Sequence, residues 1–231
     1  PFLKLKLSGF LWYQGESNGN EGVSYFHKMQ ALINGWRQVW GQGEFPIYFY
    51  FVQLADFQQP NDNPAGGDGW ARIREAQRQS LTIPHTGMAV ITDIGAANDI
   101  HPRNKQDVGH RLALWALRDV AKKDIVPSGP LFNSIKVEGP AIRVYFEHAA
   151  SGLIVGKRKN GLEPTPEVKD GALKRFAIAG EDKQWHWADA KIDGDTVVVS
   201  SKEVQKPVAV RYGFTMNPED ANLYNKEGLP A

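Results

Sequence analysis

The chain has 231 residues, enough for one large domain or two small ones around a substantial core. Hydrophobic residues at 42% and charged residues at 23% are ordinary for a globular protein, and a formal net charge of +1 gives no electrostatic reason to expect nucleic acid as a partner. The absence of cysteine excludes disulfides and thiolate metal sites, and no apolar stretch approaches the roughly 20 residues that a membrane-spanning helix requires.

The first residue is Pro1, and no signal-peptide pattern follows it, so any export signal is expected in a part preceding this sequence. Residues 7–13, with the apolar run Phe10-Leu11-Trp12-Tyr13, predict a first strand. Phe26, Met29, Ile33, Trp36 and Trp40 step by three and four and predict a helix over 24–40. Residues 45–54 form a near-continuous aromatic and β-branched run, as expected of a strand covered on both faces. A Gly-, Pro-, Asn- and Asp-rich loop over 58–69 leads to a second helix over 70–81, a third strand over 87–93 and a third helix over 103–121. Strands alternating with helices imply right-handed crossovers and a parallel sheet. Chemistry in such sheets sits beyond the carboxyl ends of the strands, which singles out the loops at 14–20, 56–69 and 93–104. Three strands make a thin sheet with an unpaired edge, so further strands are expected upstream or on a partner chain.

From Pro127 the period changes. Short runs at 133–138, 141–148, 175–179, 196–201 and 207–214 alternate apolar and polar residues, clearest in Ile142, Val144 and Phe146 and in Val208, Val210 and Tyr212. They predict an antiparallel sandwich. Pro127-Ser128-Gly129-Pro130 marks the boundary, giving units at 1–126 and 127–231. The densest cationic run, Lys157-Arg158-Lys159, reads as a solvated turn. His27, His85, His110, His148 and His186 show no metal-ligand spacing.

Asp99-Ile100-His101-Pro102 falls between the third strand and third helix. Pro102 suits the first turn of a helix, which would hold His101 at the sheet's carboxyl edge. A histidine there can take a proton from a hydroxyl nucleophile and return it to a leaving alcohol, with a carboxylate on its other nitrogen to fix the tautomer. The same residues also fit a plainer role, with Asp99 or Asn98 capping the helix and His101 exposed in a loop. At the end of the first strand stands Trp12-Tyr13-Gln14-Gly15-Glu16-Ser17-Asn18. The Gln14 amide is able to donate to an oxyanion, and Glu16 to orient the loop or bind a sugar hydroxyl. A polar turn with Ser17, Asn18 and Asn20 as turn formers is the alternative. Arg103 is suited to a substrate carboxylate, while Trp70 fits either a sugar face or the core. A structureless loop as long as 58–69 suits a specificity element.

Residues 9–18, Gly-Phe-Leu-Trp-Tyr-Gln-Gly-Glu-Ser-Asn, resemble a block of sialate O-acetylesterases and related carbohydrate esterases of the SGNH-hydrolase superfamily. Residues 98–106, Asn-Asp-Ile-His-Pro-Arg-Asn-Lys-Gln, resemble that family's histidine block, and residues 222–231 its C-terminal tail. The resemblance implies an α/β fold, namely the C-terminal part of a flavodoxin-like α/β/α catalytic domain with a parallel sheet (1–126) and then an antiparallel β-sandwich (127–231). It implies hydrolysis of O-acetyl esters on sialic acid or a related sugar without metal or cofactor, and a periplasmic or secreted location. Acetyl-xylan, or a catalytically silent glycan-binding fragment, is the alternative. His101 matches the catalytic base and Gln14 the oxyanion-side residue, with Gly15, Glu16 and Arg103 as substrate-facing neighbours. The family's Gly-Gln-Ser-Asn-type serine block has no match here. Ser8 and Ser17 lack its context, so the nucleophile is expected from an upstream segment or a second chain. The superfamily's acid stands three places before the histidine, where this chain has Asn98. Asp99, two before, is the chosen acid, with a serine–histidine dyad or Asp93 as alternatives.

Overall fold

The structure is a computed structural model and describes residues 2–41, 46–158 and 162–231. Phe45 and Lys159, each at the end of a run read from the sequence, lie outside the described residues. Three parallel strands, β1 (Gly9–Trp12), β2 (Tyr48–Val52) and β3 (Thr86–Ala89), lie in the order β1-β2-β3. Helices α1 (Val23–Trp40), α2 (Ala71–Gln79) and α3 (Lys105–Asp119) cover both faces.

Alternation along β2 dictates this layering. Phe49 and Tyr50 are both buried but point to opposite faces. Phe49 meets Trp36 of α1 with ring centroids 5.9 Å apart, and Tyr50 stacks on Trp115 of α3 at 6.4 Å. α3 approaches β3 so closely that a Cβ on Gly87 would lie 2.4 Å from the Trp115 ring. A side chain cannot be inserted there without parting the two layers.

β3 is shorter than its apolar run. β2 ends at Val52 opposite Ala89, so the residues that follow have no partner strand. The chain turns instead into the loop that carries His101. That loop is anchored by Arg111 of α3, which donates to the Val90 carbonyl at 2.7 Å and to both Asp93 carboxylate oxygens at 2.6 and 2.8 Å. Both side chains are buried, and the Tyr224 hydroxyl completes the cluster by donating to Asp93 at 3.2 Å.

Beyond Pro127 two antiparallel sheets face each other. One has the order β4 (Leu131–Glu138), β5 (Ala141–Glu147), β10 (Thr196–Ser200), β9 (Asp189–Asp193), and the other β11 (Ala209–Tyr212), β7 (Phe176–Ala179), β8 (Trp185–Trp187). Their inner residues Ile142, Val144, Phe176, Ile178, Val197 and Val199 share one core. A third pair, β6 (Leu153–Val155) with β12 (Leu223–Asn225), carries the C-terminal tail. Buried Asn225 donates to the carbonyls of Ser128 and His148 and accepts from the Leu229 amide, which locks the tail onto the segment at the start of the sandwich.

Arg74 of α2 joins the two regions. Its buried guanidinium donates to the carbonyls of Leu54 and Ala55, which follow β2, and of Thr215 and Met216, which follow β11. Burial pushes its pKa down to about 10, with the Asp56 and Asp68 carboxylates acting against the shift.

Asp93→Ala leaves the Arg111 guanidinium buried without its carboxylate, and it is expected to lower stability by about 3–5 kcal/mol. Tyr224→Phe removes one hydrogen bond to a carboxylate, a loss of about 1.5–3 kcal/mol that leaves the ion pair intact. Urea unfolding midpoints of the two variants check the order, and equal losses would contradict the burial of the pair.

Candidate active site

The loops after all three parallel strands meet at the sheet's carboxyl edge. Residues 14–20 open with Gly15 at φ 154° and ψ −19°, where a Cβ would press on Gln77, Ile73 and Leu54 within 3.2–3.3 Å. Only glycine fits this turn, and it swings the chain into a 3-10 turn over Glu16–Asn18. Gly19 lies against Trp70, which is itself buried and stacked on Phe57 at 5.2 Å. Trp70 therefore supports the loop from below, and the core reading of this residue holds over the sugar-face reading.

Gln14 is half-buried and held at several points. Its backbone carbonyl accepts from the Tyr25 hydroxyl at 3.0 Å, its Nε2 donates to Asn18 Oδ1 at 2.6 Å, and its Oε1 lies 3.1 Å from the same Tyr25 hydroxyl. Asn18 in turn donates to Glu21 at 2.8 Å, and Glu21 takes Lys28 at 2.6 Å. The Glu21 carboxyl is held below the usual carboxylate range by the Lys28 contact first and the Asn18 amide second. The sequence reading missed Asn18, Glu21, Tyr25 and Lys28 as a set. Their steps of three and four from Gln14 were the available signal.

The histidine loop stands opposite. His101 is exposed, and its Nδ1 lies 3.8 Å from Asp99 Oδ1. That separation is too long for a hydrogen bond. The same Asp99 oxygen accepts from the His101 backbone N–H at 2.9 Å, in a local turn that holds the carboxylate next to the ring. Arg103 Nε is 4.0 Å from the other Asp99 oxygen and its side chain is exposed. Pro102 is not in the helix as its sequence position suggested. α3 begins at Lys105, and Asn104 caps it by accepting from the Asp107 amide at 3.1 Å. Neither Asn98 nor Asp99 acts as the cap. Asp93 is committed to Arg111 and Tyr224.

The two blocks come into contact at Tyr13 and Lys105. Lys105, first residue of α3, places its ammonium 4.7 Å from the centroid of the Tyr13 ring. The long loop joins them from the third side. Gly95 donates to Asp56 at 2.7 Å, and Gln58 to the Ala97 carbonyl at 2.9 Å. Burial raises the Asp56 pKa, with the Gly95 amide acting against it. Farther along, the loop is strapped to the sandwich: Arg175 donates to Asn61 at 3.1 Å, Trp187 to Asp62 at 3.1 Å, and the Gly67 amide to Phe214 at 2.8 Å. Ser17 is exposed on the 3-10 turn, and Ser8 lies just before the amino end of β1, opposite this edge.

A family model described as "Carbohydrate esterase, sialic acid-specific acetylesterase" matches residues 2–118, half of the chain. The chain belongs to this family. Sialate O-acetylesterase of Rattus norvegicus is 36% identical over 155 residues, 59% of this chain and 28% of that protein. The Homo sapiens sialate O-acetylesterase is 33% identical over 153 residues, with 59% and 29% covered. A crystal structure of a carbohydrate acetylesterase from Xanthomonas citri superposes with a TM-score of 0.86 at 41% identity, over 100% of this chain and 50% of that one. The chain thus spans under a third of the curated relatives it matches and half of this solved structure. The α/β fold with a parallel sheet followed by antiparallel sheets is that of a carbohydrate acetylesterase. Among the described residues no helix is long and apolar enough to cross a membrane.

Burial first, and the Glu16 carboxylate second, push the Tyr13 phenol up to about 12. Glu16→Gln is expected to lower that pKa, since a nearby negative charge opposes tyrosinate formation. An NMR titration of 13C-labelled tyrosine reads the shift, and an unchanged value would place Glu16 out of electrostatic reach.

Proposed function

We propose that this chain carries the histidine half of a serine esterase site that removes acetyl groups from O-acetylated sialic acid or a related glycan. In this reading residues 1–126 are the C-terminal part of the catalytic domain and 127–231 its accompanying sandwich. The serine comes from an upstream segment or a second chain, and the location is periplasmic or secreted. The supporting observation is that the Gln14 and His101 loops leave the same sheet edge, with Tyr13 and Lys105 beside them in contact. Membership of the acetylesterase family adds to it. The free edge of β1 fits a covering segment, because Phe2, Leu3, Leu5 and Leu11 before and within the strand are all more than half exposed.

In the proposed reaction the serine oxygen attacks the acetyl carbonyl while His101 accepts its proton. The Gln14 amide donates to the oxyanion that forms. Collapse breaks the bond to the sugar oxygen, which leaves with the proton from His101. Water, deprotonated by His101, then releases acetate from the serine ester and restores the hydroxyl. Asp99 needs to close less than 1 Å on the ring to bond Nδ1, a tightening expected between a free site and a loaded one. Arg103, exposed beside Asp99, is placed to meet the substrate carboxylate.

The 231-residue chain alone should not hydrolyse p-nitrophenyl acetate above a His101→Ala control. With the upstream half restored, in cis or as a second chain, turnover should appear and fall roughly a thousandfold or more on His101→Ala. Gln14→Ala should lower kcat by roughly 100-fold or more. Strong His101-dependent turnover by the chain alone would put the nucleophile within these residues, and near-intact activity in Asp99→Ala would remove Asp99 as the acid. Comparing O-acetyl sialic acid with acetyl-xylan decides the substrate. A restored enzyme with no turnover on either favours a silent glycan-binding role.

A further inference from the structure

A glutamine that stabilises an oxyanion faces a difficulty that a backbone amide does not. Its two ends are nearly the same shape, and turning the amide over presents a carbonyl oxygen where a donor is needed. Its side chain also turns about three bonds, so the donor must be immobilised before the reaction to be effective.

The hydrogen bonds around Gln14 answer both points. A carboxylate can only accept, so the Glu21 oxygen at 2.8 Å forces Asn18 to turn its Nδ2 outward. Asn18 must then present Oδ1 to Gln14, and Gln14 must present Nε2 to Asn18, the 2.6 Å contact observed. Nε2 has two protons. One goes to Asn18 and one remains for a ligand, while Oε1 is turned toward the Tyr25 hydroxyl at 3.1 Å. Lys28 donates to the same Glu21 oxygen at 2.6 Å and holds it in place as an acceptor. Glu21 lies just ahead of the amino end of α1, where a negative charge is favoured by the helix dipole. The direction of donation runs without a break from Gln14 through Asn18 to Glu21.

We propose that Asn18, Tyr25 and Glu21 are positioning residues that set the orientation of the Gln14 amide, with Glu21 as the terminal acceptor. Gln14 then offers a donor, and never an acceptor, to the reacting carbonyl. This rests on the proposed oxyanion role of Gln14 and extends it to residues that touch no substrate.

Two measurements test it, one of them independent of catalysis. In the 231-residue chain the Gln14 side-chain amide should give two well-separated proton resonances, one protected from exchange. Asn18→Ala should bring them toward free-glutamine positions and speed exchange of the protected proton at least tenfold. Glu21→Ala, one bond farther out on a partly exposed side chain, should act in the same direction and guards against an Asn18 variant that fails to fold. Glu21→Gln keeps an oxygen acceptor that the donor-only Lys28 ammonium turns toward Asn18, and should retain most of the protection. In the serine-complemented enzyme, Asn18→Ala and Tyr25→Phe should lower kcat about tenfold with KM within about twofold, because an oxyanion contact is made only in the transition state. An unmoved Gln14 amide in both alanine variants, or a raised KM at constant kcat, overturns the proposal. A wild-type enzyme without His101-dependent turnover would overturn the esterase reading, and the amide measurement would still decide the positioning.

Discussion

Arg111 and Asp93 form the buried ion pair on which the placement of the histidine loop depends. Two charges out of water are held only when their remaining donors and acceptors are filled, and here they are: Val90 takes a further guanidinium proton and Tyr224 donates to the carboxylate. The pair stands where β3 has run out of partner strand, so it replaces a missing ladder with a fixed anchor between the sheet and α3. From that anchor the chain has only a short path to His101. Tyr224 comes from the C-terminal tail, which makes the far end of the chain part of the support beneath the site.

The aromatic content of the first region follows from the same geometry. With one helix layer on each face, α1 supplies Trp36 to Phe49 on one face of β2 while α3 supplies Trp115 to Tyr50 on the other. Gly87 then becomes a steric requirement, since the closeness of α3 to β3 excludes a methyl group. The carboxyl edge is left to polar loops, which bind one another through backbone and short side-chain contacts.

Most elements with a full period were legible in the sequence, but β9 was missed although its five residues alternate in burial. Met29 and Ile33 announce α1, although Tyr25 rather than Phe26 is the buried residue of its first turn, because the tyrosine hydroxyl has Gln14 to bond. β6, β8 and β12 were not legible, since three residues cannot display alternation and pairing with distant strands decides them. The start of α3 was read two residues early at 103, because Pro102 is a general helix-start signal and the Asn104 cap is a specific one. His101, Asp99 and Gln14 could be named from their blocks. Their distances could not, and neither could the Lys105–Tyr13 contact, which depends on how α3 crosses the sheet.

Arg74 has one more implication. Four carbonyls from two distant stretches of backbone solvate a single cation, so the parallel sheet and the sandwich share one solvation shell instead of merely touching. A graft of the first region into another scaffold would have to bring the Thr215–Met216 peptide with it, or find a replacement for half of that shell. Separating the two regions would leave that guanidinium buried with half of its acceptors gone.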